Sequence, residues 1–385
     1  MPGTHALLSP SAAKMFIACN KSVRTGLDFP DRESSYAAEG TLAHSLGELL
    51  IKRKLRRIKE VDYKRELAVI EESEFYNEAM LDYCDEYSTF VLERYHQALA
   101  RNKDAIILLE EKVDLSDFAP ESFGTADVTI IADKIQDNID FKYGKGVLVK
   151  ALENEQCMMY ALGMNVKYGW MYHVEMVRIT VYQPRINNID EYCLTPDQLR
   201  HWGDTVLRPN ALRAFNGEGQ FVAGDHCQFC RARSRCRAHS EYYMNLAIDI
   251  FSVPSLLSLE EMTEVLLKVD GIKSYAEFVK EWAVEALKAG DKIPGFKLVA
   301  GRGIRKYKSE ADVVSKLTAE GYTEEQLYEK KILGVTKMEQ LLGTSDFGAH
   351  LNDLIVKPYG KPTLAVESDK RPPYDRSQEA ADVFA

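Results

Sequence analysis

Residues Gly124–Gly146 read GTADVTIIADKIQDNIDFKYGKG, and this stretch decides the fold. After Gly124, ADVTIIAD alternates with the period of two of a half-buried strand. Asp133-Lys134 is expected to turn the chain into a second strand from about Gln136 to Lys142, although the Asn-Gly or Asp-Gly hairpin signature is missing. Upstream, the apolar run from Ala105 to Val113 reads as another strand. Downstream, a helix is expected from Ala151 to Gly163 and a returning strand from about Val174 to Gln183. Three helices should precede the meander. The first starts at Ser9-Pro10, with Ser9 as its cap, and places Cys19 near its end. A second runs from about Ala38 to Arg57, where Leu42, Leu46, Leu49 and Leu50 form an apolar stripe, and a third from Glu74 to Ala100. Helices, a strand meander, a helix and a returning strand together predict a mixed α/β fold.

The 385 residues, 45% of them hydrophobic, suffice for a buried core and more than one unit. MPGTHALLSPSAAK carries neither the charged start nor the apolar run of a secretory signal. No stretch approaches the roughly 20 apolar residues of a membrane span. A cytoplasmic setting with no membrane contact is therefore expected, in which seven cysteines stay reduced and their spacing reports metal binding rather than disulfides. The net charge of -10 argues against a uniformly basic nucleic-acid coat. Local patches remain at Lys52, Arg53, Lys54, Arg56, Arg57 and Lys59, and at Arg231, Arg233, Arg235 and Arg237. An isolated basic run is ordinarily a solvated face.

Chemistry concentrates in the meander. A hairpin brings Asp127 and Asp140 to one end of the sheet, and Lys142, two residues past Asp140, points to the same face. Two carboxylates suit a hard divalent ion such as magnesium or manganese, which keeps some water and lowers its pKa. Lys142 then positions or helps deprotonate the attacking water and steadies charge developing on a phosphate. Taken singly, each aspartate is more often a turn or cap residue. A second constellation is His226-Cys227-Gln228-Phe229-Cys230, followed by Cys236 and His239. Three thiolates suit zinc or an iron-sulfur cluster and leave one position open. His226 or His239 would complete a zinc site locally, and Cys19 a cluster from afar. Cys84, Cys157 and Cys193 read as ordinary buried cysteines.

Gly124-Thr125-Ala126-Asp127 and Asp140-Phe141-Lys142-Tyr143-Gly144-Lys145 resemble the Gly-x-x-Asp and Asp/Glu-x-Lys elements of the RecB-like branch of the PD-(D/E)XK nucleases. Gln156 and Tyr160 resemble that branch's Gln-x-x-x-Tyr helix element, and His44 its upstream histidine. The resemblance covers about residues 6 to 245. It implies a restriction-endonuclease-like core, a mixed central sheet flanked by helices, with a helical N-terminal part and an appended α+β C-terminal region. It further implies a metal held by His44, Asp127, Asp140 and the Phe141 backbone carbonyl, with Gln156 and Tyr160 supporting catalysis. Glu48 becomes a partner for the imidazole, and Glu110 or Glu111 a further approach to the metal. Cys19 ahead of the core and Cys227, Cys230 and Cys236 behind it resemble the iron-sulfur nucleases, including the AddB subunit and the CRISPR adaptation nucleases. This favours a 4Fe-4S cluster over zinc, with Asn20 standing where those relatives commonly have Pro.

The implied activity is metal-dependent DNA cleavage, as an exonuclease working on ends in phage or prophage recombination inside a bacterial host. Arg231, Arg233, Arg235 and Tyr160 would contact DNA. A single-strand DNA-binding or annealing protein is the implied partner, and a homo-oligomer is compatible. The other reading is a non-catalytic DNA-binding or assembly protein on the same fold. The expected organisation is a nuclease domain over 1–248, an accessory region over 249–365 and a loose tail over 366–385. Within the accessory region, two helical segments separated near Gly271 are expected, then a basic strand from Phe296 to Tyr307 and a helical pair from Ser309 to Leu342.

Overall fold

Pro10, which has no N–H to leave unsatisfied, opens a 3-10 turn (Pro10–Ala12) that runs into α1 (Ala13–Ala18), with Cys19 at its C-cap. Ser9 makes no capping bond to the backbone; its hydroxyl meets Ser11 instead. The computed structural model describes residues 6–30, 35–251, 258–298, 310–320 and 332–351, with a few isolated positions up to 355. The chain divides into two compact units, Met1–Tyr328 and Glu329–Ala385.

In the first unit, α2 (Ser22–Gly26) is followed by α3 (Ser35–Lys54), α4 (Glu60–Glu71) and α5 (Glu78–Arg101). The α5 start is capped by Asn77, whose side chain accepts from the Met80 N–H, one of the orphan donors of a helix N-terminus. Strands β1 (Ile106–Asp114), β2 (Phe123–Ala132) and β3 (Ile135–Phe141) form an antiparallel meander. Asp133 and Lys134 both adopt left-handed backbone conformations, with φ of 56° and 63°. These are the signs a two-residue hairpin with right-twisted strands requires, here met without glycine.

Next comes α6 (Glu155–Met164), capped by the Asn154 side chain, and then β4 (Met176–Gln183), parallel to β3. Parallel neighbours need a crossover, and α6 supplies it. The edge strand β5 (Asn188–Leu194) pairs antiparallel with β4 and completes a five-stranded mixed sheet in the order β1-β2-β3-β4-β5. After it come α7 (Pro196–Trp202), α8 (Arg208–Asn216), α9 (Arg237–Phe251), α10 (Leu259–Lys288) and α11 (Glu310–Ala319). The second unit holds α12 (Val335–Leu342) and α13 (Thr344–Leu351).

Two hydrophobic clusters sandwich the sheet, giving a mixed α/β architecture. On one side, Val128, Ile130, Ile139 and Phe141 pack with α3, α4 and α5. On the other, Ala126, Val177, Ile179 and Val181 pack with α1, α6, α7 and α8. The period of two along β3 sends Gln136, Asn138 and Asp140 away from the α5 side. Gln136 donates to the Ala161 carbonyl of α6 at 2.9 Å and to Asn138 Oδ1 at 2.7 Å, and Asn138 donates to Thr129 at 2.8 Å. This satisfied polar row leads along the strand to Asp140.

Some expectations need correction. Strand β5 and helix α4 were not anticipated. Gly271 does not separate two helices: α10 is continuous, and a Cβ at that position would lie 2.6 Å from the Tyr243 hydroxyl. The glycine permits a close approach between α9 and α10, at a helix-weakening cost of about 1 kcal/mol. Cys193 is exposed, because alternate side chains of the edge strand β5 face solvent. Most of the basic strand expected over Phe296 to Tyr307 lies outside the described residues.

Candidate active site

Strand register assembles a row of carboxylates that residue spacing only partly revealed. Leu109 pairs with Val128 and Glu111 with Ala126, so Glu110 stands opposite Asp127. The β2–β3 register, carried one step beyond Val128–Ile139, sets Asp127 opposite Asp140. Glu110, Asp127 and Asp140 therefore occupy one cross-strand row over three adjacent strands. Glu110 has a φ of 46° inside a strand, a conformation uncommon outside glycine and asparagine that tends to mark functional sites. The choice between Glu110 and Glu111 is thereby made: Glu111 is turned to Lys167 and accepts from the Tyr168 hydroxyl at 2.9 Å.

Helix α3 brings His44 to this row. Its Nδ1 lies 3.3 Å from Asp127 Oδ1, while Asp127 Oδ2 accepts the Phe141 backbone N–H at 2.8 Å. The ligand atoms of His44, Glu110 and Asp127 all fall within 4.8 Å of one another. One imidazole nitrogen and clustered carboxylate oxygens form a donor set suited to manganese or magnesium. Glu48 does not partner the imidazole: it forms a 2.6 Å ion pair with Lys52 one turn on. The Phe141 ring is fully buried, edge-on to His44 at 5.3 Å and stacked on Tyr87 at 4.2 Å.

On the α6 side, Lys142 Nζ lies 2.9 Å from Asp140 Oδ2 and donates to Gln156 Oε1 at 3.0 Å. Tyr160, one turn beyond Gln156, packs against Gly124; a Cβ there would sit 2.8 Å from the Tyr160 ring and 2.9 Å from Pro10. That contact is the physical reason for glycine at the head of Gly-x-x-Asp. The five sequence-predicted residues Asp127, Asp140, Lys142, Gln156 and Tyr160 thus come together, with His44 and Phe141 alongside. Sequence reasoning missed Tyr87, and Cys157 is buried as expected. Tyr87 carries no local signal on its helix, and burial, with Asp140 adding to it, pushes the Cys157 thiol well up.

The electrostatics follow from burial of unlike and like charges. Burial opposes ionisation of Asp127, yet His44, Lys142 and the Phe141 N–H hold its carboxyl below the ordinary range. Burial also raises Asp140; Lys142 opposes that rise and the like charge of Asp127 adds to it. Burial and the Asp127 charge push Glu110 up to about 7. Burial disfavours charge on His44, but Asp127 outweighs it and raises the imidazole. Lys142 is held firmly cationic against its burial by Asp140. Asp140 Oδ2 is met by the Lys142 ammonium at 2.9 Å, whereas the buried Tyr87 hydroxyl beside this row has no hydrogen-bond partner. Leaving such a hydroxyl unpaired is costly.

The basic residues divide. Lys52, Arg53 and Lys54 pair with Glu48, Glu60 and Asp85, and Arg57 donates to the Ile107 carbonyl, so this run is a solvated, internally paired face. Arg233 lies 3.9 Å over the Phe278 ring and donates to the Gln228 carbonyl, whereas Arg231 and Arg235 are exposed.

Cys19, Cys227, Cys230 and Cys236 line one cavity, together with Ser22, His226 and His239. Cys19 Sγ accepts the Val222 N–H at 3.5 Å, tying α1 to the segment that carries the other three. Asn20 donates to the Phe16 carbonyl at 2.7 Å and to Asn210 Oδ1 at 3.2 Å, a bridge that proline could not make. His226 and His239 each commit one ring nitrogen to a backbone carbonyl, of Val222 and Arg233 respectively, at 2.9 Å. Burial and the neighbouring thiols push Cys227 up to about 11 and also raise Cys230. Thiols ligate a soft metal as thiolates, so a metal bound here would displace the protons of Cys227 and Cys230 against that rise. The Ser22 hydroxyl is buried without a partner. Four soft thiols share this cavity, although among the described residues it is His44, Glu110 and Asp127, and no trio of cysteines, whose ligand atoms lie within 4.8 Å of one another.

Among solved structures, one described as "Crystal structure of SSO0001" aligns at 15% identity over 59% of this chain and 96% of its own, with a TM-score of 0.21. That overlap carries no argument about fold or function. The sequence match is far more extensive, since residues 5–372 fit one family throughout. The chain belongs to the family described as Protein of unknown function (DUF2800).

Proposed function

We propose that this protein is a metal-dependent deoxyribonuclease with a PD-(D/E)XK core of the RecB-like kind, cutting DNA from its ends. The observation that carries this reading is the cross-strand row Glu110, Asp127 and Asp140, faced by His44 and flanked by Lys142. His44, Glu110, Asp127, Asp140 and the Phe141 carbonyl would hold magnesium or manganese. When bound, the ion supplies positive charge for a phosphodiester and a more acidic water.

The chain's own residues complete the chemistry. Lys142 would position or help deprotonate the attacking water and steady charge developing on phosphate. Gln156 fixes the Lys142 ammonium, and Tyr160 seats α6 against Gly124. Arg231 and Arg235 are suited to DNA phosphates. The four-cysteine cavity would hold a 4Fe-4S cluster, with zinc as the other candidate, pinning α1 to the end of the nuclease domain. On this reading the reaction would serve phage or prophage DNA recombination in a bacterial cytoplasm. A single-strand DNA-binding or annealing protein would be the partner, and self-association is compatible. Among the described residues no helix is long and apolar enough to cross a membrane.

The test is anaerobic purification followed by incubation of linear and circular DNA with manganese or magnesium. Linear DNA should be degraded, and Asp140→Ala and Lys142→Ala should each lower the rate by roughly 100-fold or more. Variants as active as the parent would end the catalytic assignment. An inert parent that binds DNA would favour a non-catalytic assembly role on the same fold. Brown, iron-containing protein supports the cluster; colourless protein with stoichiometric zinc replaces it and leaves the nuclease reading intact.

A further inference from the structure

Ser22 begins α2, three residues after Cys19, and its backbone N–H is already given to the Cys19 carbonyl at 3.0 Å. Its side chain is 3% exposed and lines the cavity shared by Cys19, Cys227, Cys230 and Cys236. The hydroxyl nevertheless has no hydrogen-bond partner. A serine in a helix normally has a nearby carbonyl to bond, and leaving a buried hydroxyl unpaired costs about 1–3 kcal/mol. Sulfur is the acceptor this cavity offers in quantity. A neutral thiol accepts weakly, whereas a metal-bound thiolate or sulfide carries negative charge and accepts a charge-assisted bond. One backbone donor, the Val222 N–H, already points at Cys19 Sγ.

We infer that Ser22 is a positioning residue for the cysteine centre, its hydroxyl donating a hydrogen bond to a sulfur of the metal–thiolate group held there. The inference rests on the cysteine cavity being a metal site and is independent of whether the protein cuts DNA. Outer-shell hydrogen bonds tune both retention and redox potential of such groups, because they stabilise the more negative state. Loss of the donor therefore makes the group easier to lose and harder to reduce.

Ser22→Ala and Ser22→Thr are compared with the parent after anaerobic purification. If the metal is iron, the readouts are bleaching of visible absorbance by a chelator and the reduction midpoint. If it is zinc, the readout is the rate of transfer to a chromogenic chelator. Ser22→Ala should release metal roughly tenfold faster, with a more negative midpoint in the iron form, while Ser22→Thr, which keeps the hydroxyl, stays near the parent. The metal-free Ser22→Ala protein should melt at or above the parent's temperature, which separates the effect from a folding defect. Release and midpoint equal to the parent's would overturn the role and identify the hydroxyl's partner as an ordinary buried water. Parent protein with no more bound metal than Cys227→Ser would sink the cysteine site itself, and Ser22's role with it.

Discussion

Glu110 shows what a single side chain contributes when charges are crowded. Its carboxyl, ordinarily near 4.5, is raised to about 7 by burial and by Asp127. Between those values the folded protein holds a proton that the unfolded chain has released, so this group makes metal-free stability fall as pH rises from about 4.5 to about 7. Thermal melts in a chelator should show that decline, and Glu110→Gln should flatten it; an unchanged slope would mean that Glu110 is solvated. A divalent ion reverses the sign, because its ligands bind as deprotonated groups. Stabilisation by manganese should therefore be larger at pH 8 than at pH 6, measured as the shift in melting temperature. Tyr87 offers a second check. Its hydroxyl is buried and unpaired among Glu110, Asp127 and Asp140, so Tyr87→Phe should leave metal-free stability equal or slightly higher. A loss of more than about 1 kcal/mol would reveal a hydrogen bond that the structure lacks.

Secondary-structure elements meet through small residues at defined points. At Gly124 on β2, α6 and the Pro10 turn close over the strand, with no room for a Cβ. Gly124→Ala should destabilise by about 1–3 kcal/mol through overpacking, read as a lower urea midpoint, and should disturb the Tyr160 side of the site. An unaltered midpoint would show that α6 can shift outward at no cost. Most elements were legible from sequence because period and punctuation agreed. The apolar stripe of α3, the alternation of β2 and the Asp133-Lys134 turn are local signals. Strand β5 was not legible, since NIDEYCL pairs only along one edge and leaves alternate residues in solvent. Gly271 was misread because a glycine that breaks a helix and one that admits a tyrosine look alike until the neighbouring helix is known.

Across the whole molecule, the cysteine cavity joins α1 to a segment some two hundred residues later. Restricting a loop of that length stabilises a fold by up to about 5 kcal/mol in a chain-entropy account. Chelation, or Cys19→Ala, should therefore lower the melting temperature of the metal-loaded protein, whereas Cys193→Ser, an exposed position on β5, should not. Equal melting of all three would show that the cavity holds nothing that bridges the chain. From sequence alone came the mixed α/β order, the Asp127, Asp140 and Lys142 set and the four cysteines, because each is written in spacing or in residue chemistry, while the Gln156–Tyr160 pair came through the family resemblance. Tertiary structure alone decided that Glu110 rather than Glu111 joins the carboxylate row, that His44 faces Asp127 rather than Glu48, and that the hydroxyls of Tyr87 and Ser22 are buried unpaired. Those outcomes depend on strand register and on which helix lies across the sheet, and neither is encoded within a few residues of the side chains concerned.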